Sequence, residues 1–186
     1  LTHVFSFSEN IISSMKGYNS KRDYTLQVNL LYLFSLTKNM PVYFRILVGS
    51  IASVSSLSVS IKESGAKDVV LIGDKGFYSE SNVKDLEAEG IHYILPLKRD
   101  NSLINYDIIK SRDMRKFGEH FIFERRPIHC YFYDTDERRI FVFLDDKLRA
   151  EEMKDGIQRL DEDKEKFYET NHRMGTIAVI TDLNVR

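Results

Sequence analysis

Between Thr25 and Leu97 the period of the hydrophobic residues switches repeatedly between two and the helical spacing, and the order of those switches leaves few folds open. Leu26, Val28, Leu30, Tyr32 and Phe34 occupy alternate positions, which puts them on one face of a β-strand. Thr37-Lys38-Asn39 is a turn signal, Pro41 opens a second run from Val42 to Val48, and Gly49 closes it. The two runs predict an antiparallel hairpin. Val54, Leu57 and Ile61 then fall at helical spacing, with Gly65 placed as a C-cap glycine. Val69-Val70-Leu71-Ile72 is a short unbroken apolar run, the pattern of a strand buried on both faces, as in a parallel sheet. Asn82 to Glu89 predicts a second helix with Val83 and Leu86 inward and Gly90 as its stop, and Tyr93-Ile94-Leu95 predicts a further strand ending at Pro96-Leu97. Hairpin, helix, strand, helix, strand implies an α/β chain: right-handed crossovers and a mixed sheet flanked by helices.

Beyond Leu97 the style changes. Residues 98 to 116 are polar and predict a linker or surface segment. Glu119–Glu124, Ile128–Tyr133 and Arg139–Leu144 predict three strands, the last two joined through Asp134-Thr135-Asp136-Glu137. Residues 145 to 171 predict a solvated helix with Leu148, Met153, Ile157, Leu160 and Phe167 as its apolar positions. Gly175 to Ile180 returns to an apolar strand that ends in Thr181-Asp182. The expected organisation is therefore a core made of residues 1–100 and 173–186, with residues 101–172 as a β-rich insertion carrying a charged helix.

Composition excludes more than it identifies. Apolar residues at 42% and charged residues at 30% are ordinary for a globular domain. No run approaches the roughly 18 apolar residues of a membrane span, and Leu1-Thr2-His3-Val4-Phe5 lacks the layout of a signal peptide. The single cysteine, Cys130, forms no internal disulfide and no Cys/His zinc spacing accompanies it, which suits a reducing cytoplasm. The net charge of −1 lacks the basic excess of a strong nucleic-acid binder. Lys21-Arg22, Lys98-Arg99, Arg125-Arg126 and Arg138-Arg139 are local basic pairs, and solvated surface is the simpler account of any one of them.

Asp74 is the position with most chemical interest. It directly follows a predicted parallel-type strand and precedes Lys75-Gly76. Ligands in such sheets gather at the carboxyl ends of strands, where a carboxylate is well placed to hold Mg2+, an ion that prefers oxygen. A turn aspartate capping the strand or the next helix is the competing account. Metal-assisted phosphoryl chemistry needs several converging carboxylates, and Asp23, Asp68, Asp100, Asp107 and Asp182 are the other acids considered. His3, His92, His120, His129 and His172 are scattered without ligand spacing and read as strand or surface histidines. Cys130 reads as packed. Tyr131, Phe132, Tyr133, Phe141 and Phe143 could stack on bases, yet they alternate as a sheet core would. No nucleophile elbow, phosphate loop or dinucleotide fingerprint occurs.

Taken in order, the segments Lys16-Gly17-Tyr18-Asn19-Ser20-Lys21-Arg22-Asp23, Gln27-Val28-Asn29-Leu30, Pro41-Val42-Tyr43-Phe44-Arg45 and Gly49 resemble the opening of insertion-sequence transposases of the DDE class. Val70-Leu71-Ile72-Gly73-Asp74-Lys75-Gly76-Phe77-Tyr78-Ser79, with Asn82 beyond, resembles their second catalytic motif, and Ile94-Leu95-Pro96-Leu97-Lys98-Arg99 and Ile180-Thr181-Asp182-Leu183 also fit. The resemblance implies a ribonuclease H-like fold with a β-rich insertion, and Asp74 as the second of three catalytic, metal-binding carboxylates, at the tip of a central strand. Thr2 matches the Thr of the family's Asp-x-Thr pattern, which implies a first aspartate just before Leu1. The third acid, a glutamate, is implied on a helix after Asp182. Ser50 and Ser53 stand where the family has Asn and Asp.

The activity implied is Mg2+-dependent phosphodiester cleavage and strand transfer, with Mn2+ as a substitute ion. Lys75, Lys98 and Arg99 are the implied phosphate contacts. Double-stranded DNA (transposon ends and target) is the implied partner, with a homodimer of the complete enzyme, no membrane, and a cytoplasmic, nucleoid-associated location. With one carboxylate, the chain alone is expected to be inactive. Two other readings stand beside this one. The first is a non-catalytic ribonuclease H-like domain that binds DNA or a protein. The second is an unrelated nuclease in which Asp23 and Asp182 converge on Asp74.

Overall fold

The computed structural model describes residues 2–5, 14–18, 24–48, 56–65, 68–135, 138–161 and 164–184. Asp23, Gly49, Ser50, Ser53 and Val54 lie outside the described residues. The chain divides into two compact units, residues 1–68 and 69–186.

The first unit is built on a long strand, β3 (Tyr24–Ser35), numbered after β1 (Thr2–Phe5) and β2 (Met15–Tyr18). β1 pairs with residues 27–30 of β3 along one edge, and Gln27 pairs with both Phe5 and Met15, so β2 lies on the opposite edge. β4 (Met40–Val48) continues that second edge after β2, and all these pairings are antiparallel. The predicted hairpin is therefore present as β3 and β4, turning at Asn39 with a φ of 52°. Leu26, Val28, Leu30, Tyr32 and Phe34 share a face by their alternation, but it is not the covered one. Gln27, Asn29 and Leu31 on the other face are buried, while Tyr32 and Phe34 are exposed. Helix α1 (Ser56–Ser64) buries Leu57 and Ile61. Its Glu63 accepts a 2.5 Å hydrogen bond from the Tyr43 hydroxyl and pairs with Arg45 at 3.3 Å. That bond to Glu63 pushes the Tyr43 phenol up. Gly65 ends the helix at a φ of 68°, a conformation that suits glycine.

The second unit runs β5 (Val70–Ile72), α2 (Glu80–Ala88), β6 (His92–Leu97), α3 (Asp107–Ser111), β7 (Glu119–Phe123), β8 (Arg126–Thr135), β9 (Arg138–Asp145), α4 (Asp146–Gln158), α5 (Lys164–Thr170) and β10 (Thr176–Thr181). Its sheet has the order β5-β6-β10-β9-β8-β7. β5 and β6 are parallel and every other pairing is antiparallel. The registers put Tyr93, Leu95, Leu97, Ala178, Ile180, Ile140, Val142 and Leu144 on one face, and all are buried. Val83 and Leu86 of α2 are buried as the helical spacing predicts. The molecule is thus a mixed α/β structure with few helices.

Three expectations need correction. Residues 98–116 are not a linker, because Ile104, Tyr106 and Ile109 are buried. The Tyr131 hydroxyl donates to the Asn105 carbonyl at 2.5 Å and the Tyr133 hydroxyl to that of Leu103 at 2.7 Å, which holds this segment against β8. The charged stretch 145–171 is two helices. A Cβ at Gly156 would stand 2.7 Å from the Phe167 ring and 2.9 Å from the Met174 methyl, so glycine lets α5 fold back onto α4. Finally, Val69–Ile72 is not covered on both faces. Among the described residues β5 ends the row of strands instead of centring it, and Val70 and Ile72 are 45% and 58% exposed. An unbroken apolar run records side-chain type, not how many layers cover it.

Candidate functional site

Asp74 sits two residues past the end of β5. The Gly73 amide donates to the Ile94 carbonyl of β6 at 3.2 Å. A Cβ at Gly73 would lie 2.6 Å from Cδ2 of Leu95, so glycine allows the strand to close this tightly. Asp74 itself is extended and exposed, and it caps a single 3₁₀ turn, Lys75–Phe77. Its Oδ1 accepts from the Lys75 amide at 2.6 Å, and its carbonyl accepts from the Phe77 amide at 2.8 Å. Among the described residues nothing else engages the carboxylate, and the Asp74 side chain is exposed. The rest of the motif is structural. The Ser79 hydroxyl caps α2 by accepting from the Asn82 amide at 3.2 Å, and the Asn82 side chain donates to the Phe77 carbonyl at 2.9 Å. These bonds fix the path from β5 into α2 and with it the position of Asp74.

Lys75 and Lys98 are exposed, and both follow the carboxyl ends of the parallel pair β5 and β6, as Asp74 does. Arg99 is engaged differently. Its guanidinium forks onto Glu152 of α4 at 2.9 Å and 2.9 Å, and Nε donates to the Thr176 carbonyl of β10 at 2.8 Å. Glu152 also accepts from the Gly175 amide at 2.7 Å. Arg99 therefore clamps β6, α4 and β10 together.

Asp182 lies at the other end of the sheet. Its Oδ1 accepts from the Tyr93 amide at 3.0 Å and its Oδ2 meets His92 Nδ1 at 2.8 Å, both at the start of β6. Asp74 follows the far end of the neighbouring strand, about three strand residues away or roughly 10 Å. The reading in which Asp182 converges on Asp74 is discarded. Among the described residues, no group of three or more His, Cys, Asp or Glu side chains could hold a metal ion.

Other candidates resolve into packing. Burial pushes the Cys130 thiol up to about 11, which leaves it protonated and inert near neutrality. Arg139 lies over the Phe132 ring at 4.7 Å, and Phe141 stacks on Phe143 at 6.2 Å. Sequence reasoning missed one cluster. His120 and His129, called scattered, face each other with Nδ1 atoms 2.8 Å apart, and His129 Nε2 lies 3.1 Å from Asp146 Oδ2. The signal was available, because the two histidines are equally spaced about the Glu124-Arg125 loop that joins β7 and β8.

The described residues of the second unit thus form a mixed sheet with an exposed carboxylate just past the end of β5. The family model of the transposase DDE domain matches residues 6–173, so this chain belongs to the transposase DDE domain family. Its function is of the transposase type, and the family generally uses a divalent metal. No curated protein matches the chain.

Proposed function

We propose that this chain is the catalytic-core portion of an insertion-sequence transposase with a ribonuclease H-like core, residues 1–100 and 173–186, and an inserted segment, residues 101–172. Asp74 is proposed as its catalytic carboxylate and as one ligand for Mg2+ or Mn2+ in phosphodiester cleavage and strand transfer. One observation carries this reading. A glycine-tightened strand end and a capped 3₁₀ turn present an exposed carboxylate with one oxygen unengaged among the described residues, beside the ends of two parallel strands. The described residues do not by themselves fit a two-metal group, because they hold no cluster of three or more His, Cys, Asp or Glu side chains that could bind a metal ion. What the chain contributes is a positioned ligand and two ammonium groups, Lys75 and Lys98, for phosphate oxygens of double-stranded DNA. Arg99, held by Glu152, would reach a phosphate only by giving up that pair, so its proposed part is weaker. A homodimer of the complete enzyme and a cytoplasmic, nucleoid-associated location belong to the same proposal. No described helix is long and apolar enough to cross a membrane.

The expected result is that this chain alone neither cleaves nor joins DNA in a Mg2+-dependent strand-transfer assay. Turnover that disappears in Asp74→Asn would overturn the inactivity and establish Asp74 as catalytic. Turnover that survives Asp74→Asn would overturn both.

The competing reading is a non-catalytic module that binds DNA or a protein, favoured by the near-neutral net charge of −1. Salt-dependent DNA binding unchanged by Asp74→Ala, in a protein that shows no metal-dependent turnover in any context, would favour it.

A further inference from the structure

We propose that His120 and His129 form a binding site for one divalent transition-metal ion, Cu2+ or Ni2+ foremost, apart from Asp74 and independent of its role.

The hairpin geometry places the pair. β7 and β8 join through Glu124 and Arg125, both with positive φ, 48° and 63°, as a two-residue primed turn requires. The pair that flanks such a loop, Phe123 and Arg126, is hydrogen-bonded, and pairs alternate from there. Phe121 with Ile128 and Glu119 with Cys130 are then hydrogen-bonded pairs. His120 with His129 falls in a non-hydrogen-bonded pair, where opposing side chains come closest. Their Nδ1 atoms are 2.8 Å apart, which two neutral imidazoles sustain only if one of them carries the proton between them.

Asp146 decides which one. His129 Nε2 lies 3.1 Å from Asp146 Oδ2 at the start of α4, so Nε2 donates to the carboxylate and the Nδ1 lone pair of His129 points at His120. A carboxylate behind the remote nitrogen is the usual support of a metal-bound imidazole, fixing the tautomer and the ring. The Phe117 ring, 5.7 Å from that of His129 and 6.4 Å from that of His120, lines the inner side. His129 is nearly covered while His120 is exposed, so one ligand is fixed and the other can turn to accept an ion.

The spacing selects the ion class. Metal–imidazole bonds of about 2.0–2.1 Å to nitrogens 2.8 Å apart meet at close to a right angle. That angle suits adjacent positions of a tetragonal or octahedral ion better than a tetrahedral one, and imidazole nitrogens suit Cu2+ and Ni2+ while Mg2+ prefers oxygen. On binding, His120 carries its proton on Nε2 instead of Nδ1, both Nδ1 lone pairs go to the metal, and water fills the remaining positions. The ion clips the edge strand β7 to β8.

The test uses the full chain stripped of ions with EDTA. Calorimetric titration with CuCl2 should show a single high-affinity site, and the electron paramagnetic resonance spectrum of the Cu2+ complex should show two imidazole nitrogens. His120→Gln, at an exposed position, and His129→Gln should each weaken the site at least tenfold. Asp146→Asn should weaken it less, and His92→Gln not at all. NiCl2 should raise the thermal midpoint of the unsubstituted chain and not that of His120→Gln, because binding to the folded state alone stabilises it, while MgCl2 should raise neither. Unchanged Cu2+ affinity in His120→Gln would overturn the site. So would the lack of any Ni2+-dependent shift in the unsubstituted chain, a result that does not depend on how the variants fold.

Discussion

The β3–β4 hairpin and the β8–β9 hairpin are both antiparallel, both rich in aromatic and branched residues, and both alternating in sequence, yet they treat their apolar faces differently. On β3–β4, Tyr32, Phe34, Val42, Phe44 and Ile46 are all exposed, and the buried positions across the strand include the polar Gln27 and Asn29. On β8–β9, Tyr131, Ile140, Val142 and Leu144 are buried, and the 103–105 backbone pins the hydroxyls of Tyr131 and Tyr133 on that face. The lesson is that alternation marks which residues share a face, whereas covering it depends on what packs there. An exposed apolar face of this kind stabilises little, since apolar area contributes only when it leaves water.

Substitutions can break that contrast or sharpen it. The largest effect is expected at Ile140, which is fully buried in the middle of the sheet. Ile140→Ala should cost about 2–5 kcal/mol in urea unfolding, from lost burial and the cavity left behind. A value below about 1 kcal/mol would mean that this face is not the core.

Next comes Arg138, which ties β9 to α2. It donates to Glu87 at 2.7 and 2.9 Å and to Glu80 at 2.9 Å, while the Tyr93 hydroxyl donates to Glu87 at 2.8 Å. Arg138→Met should cost about 1–2 kcal/mol near neutral pH, discounted because both carboxylates are partly in water. The Arg138 guanidinium holds the Glu87 carboxyl below the ordinary value of 4.5. A depressed carboxyl stabilises the fold fully above 4.5, and that contribution is lost as pH falls through the lowered value. Stability of the unsubstituted chain should therefore fall with acid below 4.5, and the slope should flatten in Arg138→Met. Equal slopes in the two proteins would show that this pair is not the source.

The smallest effect is expected at Phe44, 62% exposed. Phe44→Ser should change stability by no more than about 0.5 kcal/mol. A cost matching that of Ile140→Ala would dissolve the contrast by showing that the β3–β4 face is covered.

Much of the architecture could be read from residue order. The hairpin, α1 with its Gly65 stop, β5, α2 with Val83 and Leu86 inward, β6, the three strands β7 to β9 and β10 all fall where period and turn chemistry predict them. These are local signals, set by side-chain direction over a few residues. The boundaries that failed depend on partners distant in sequence. The 98–116 segment looks polar because Ile104, Tyr106 and Ile109 are spread among charges, and only the tyrosines of β8, more than 20 residues on, show them to be core. The break between α4 and α5 follows from the fit of Phe167 and Met174 against Gly156.

For the candidate site the division is similar. Sequence alone determined that Asp74 follows a strand end, because an apolar run followed by Gly-Asp-Lys-Gly restricts the backbone locally. It also carried the family, through the order of motifs across the chain. Tertiary structure decided which other groups surround that carboxylate. It placed Asp182 at the opposite end of the sheet, committed Arg99 to Glu152, and brought His120 against His129. The reason is physical: local sequence sets torsions and faces, whereas the meeting of side chains depends on strand order and register, which form only when distant segments pack together.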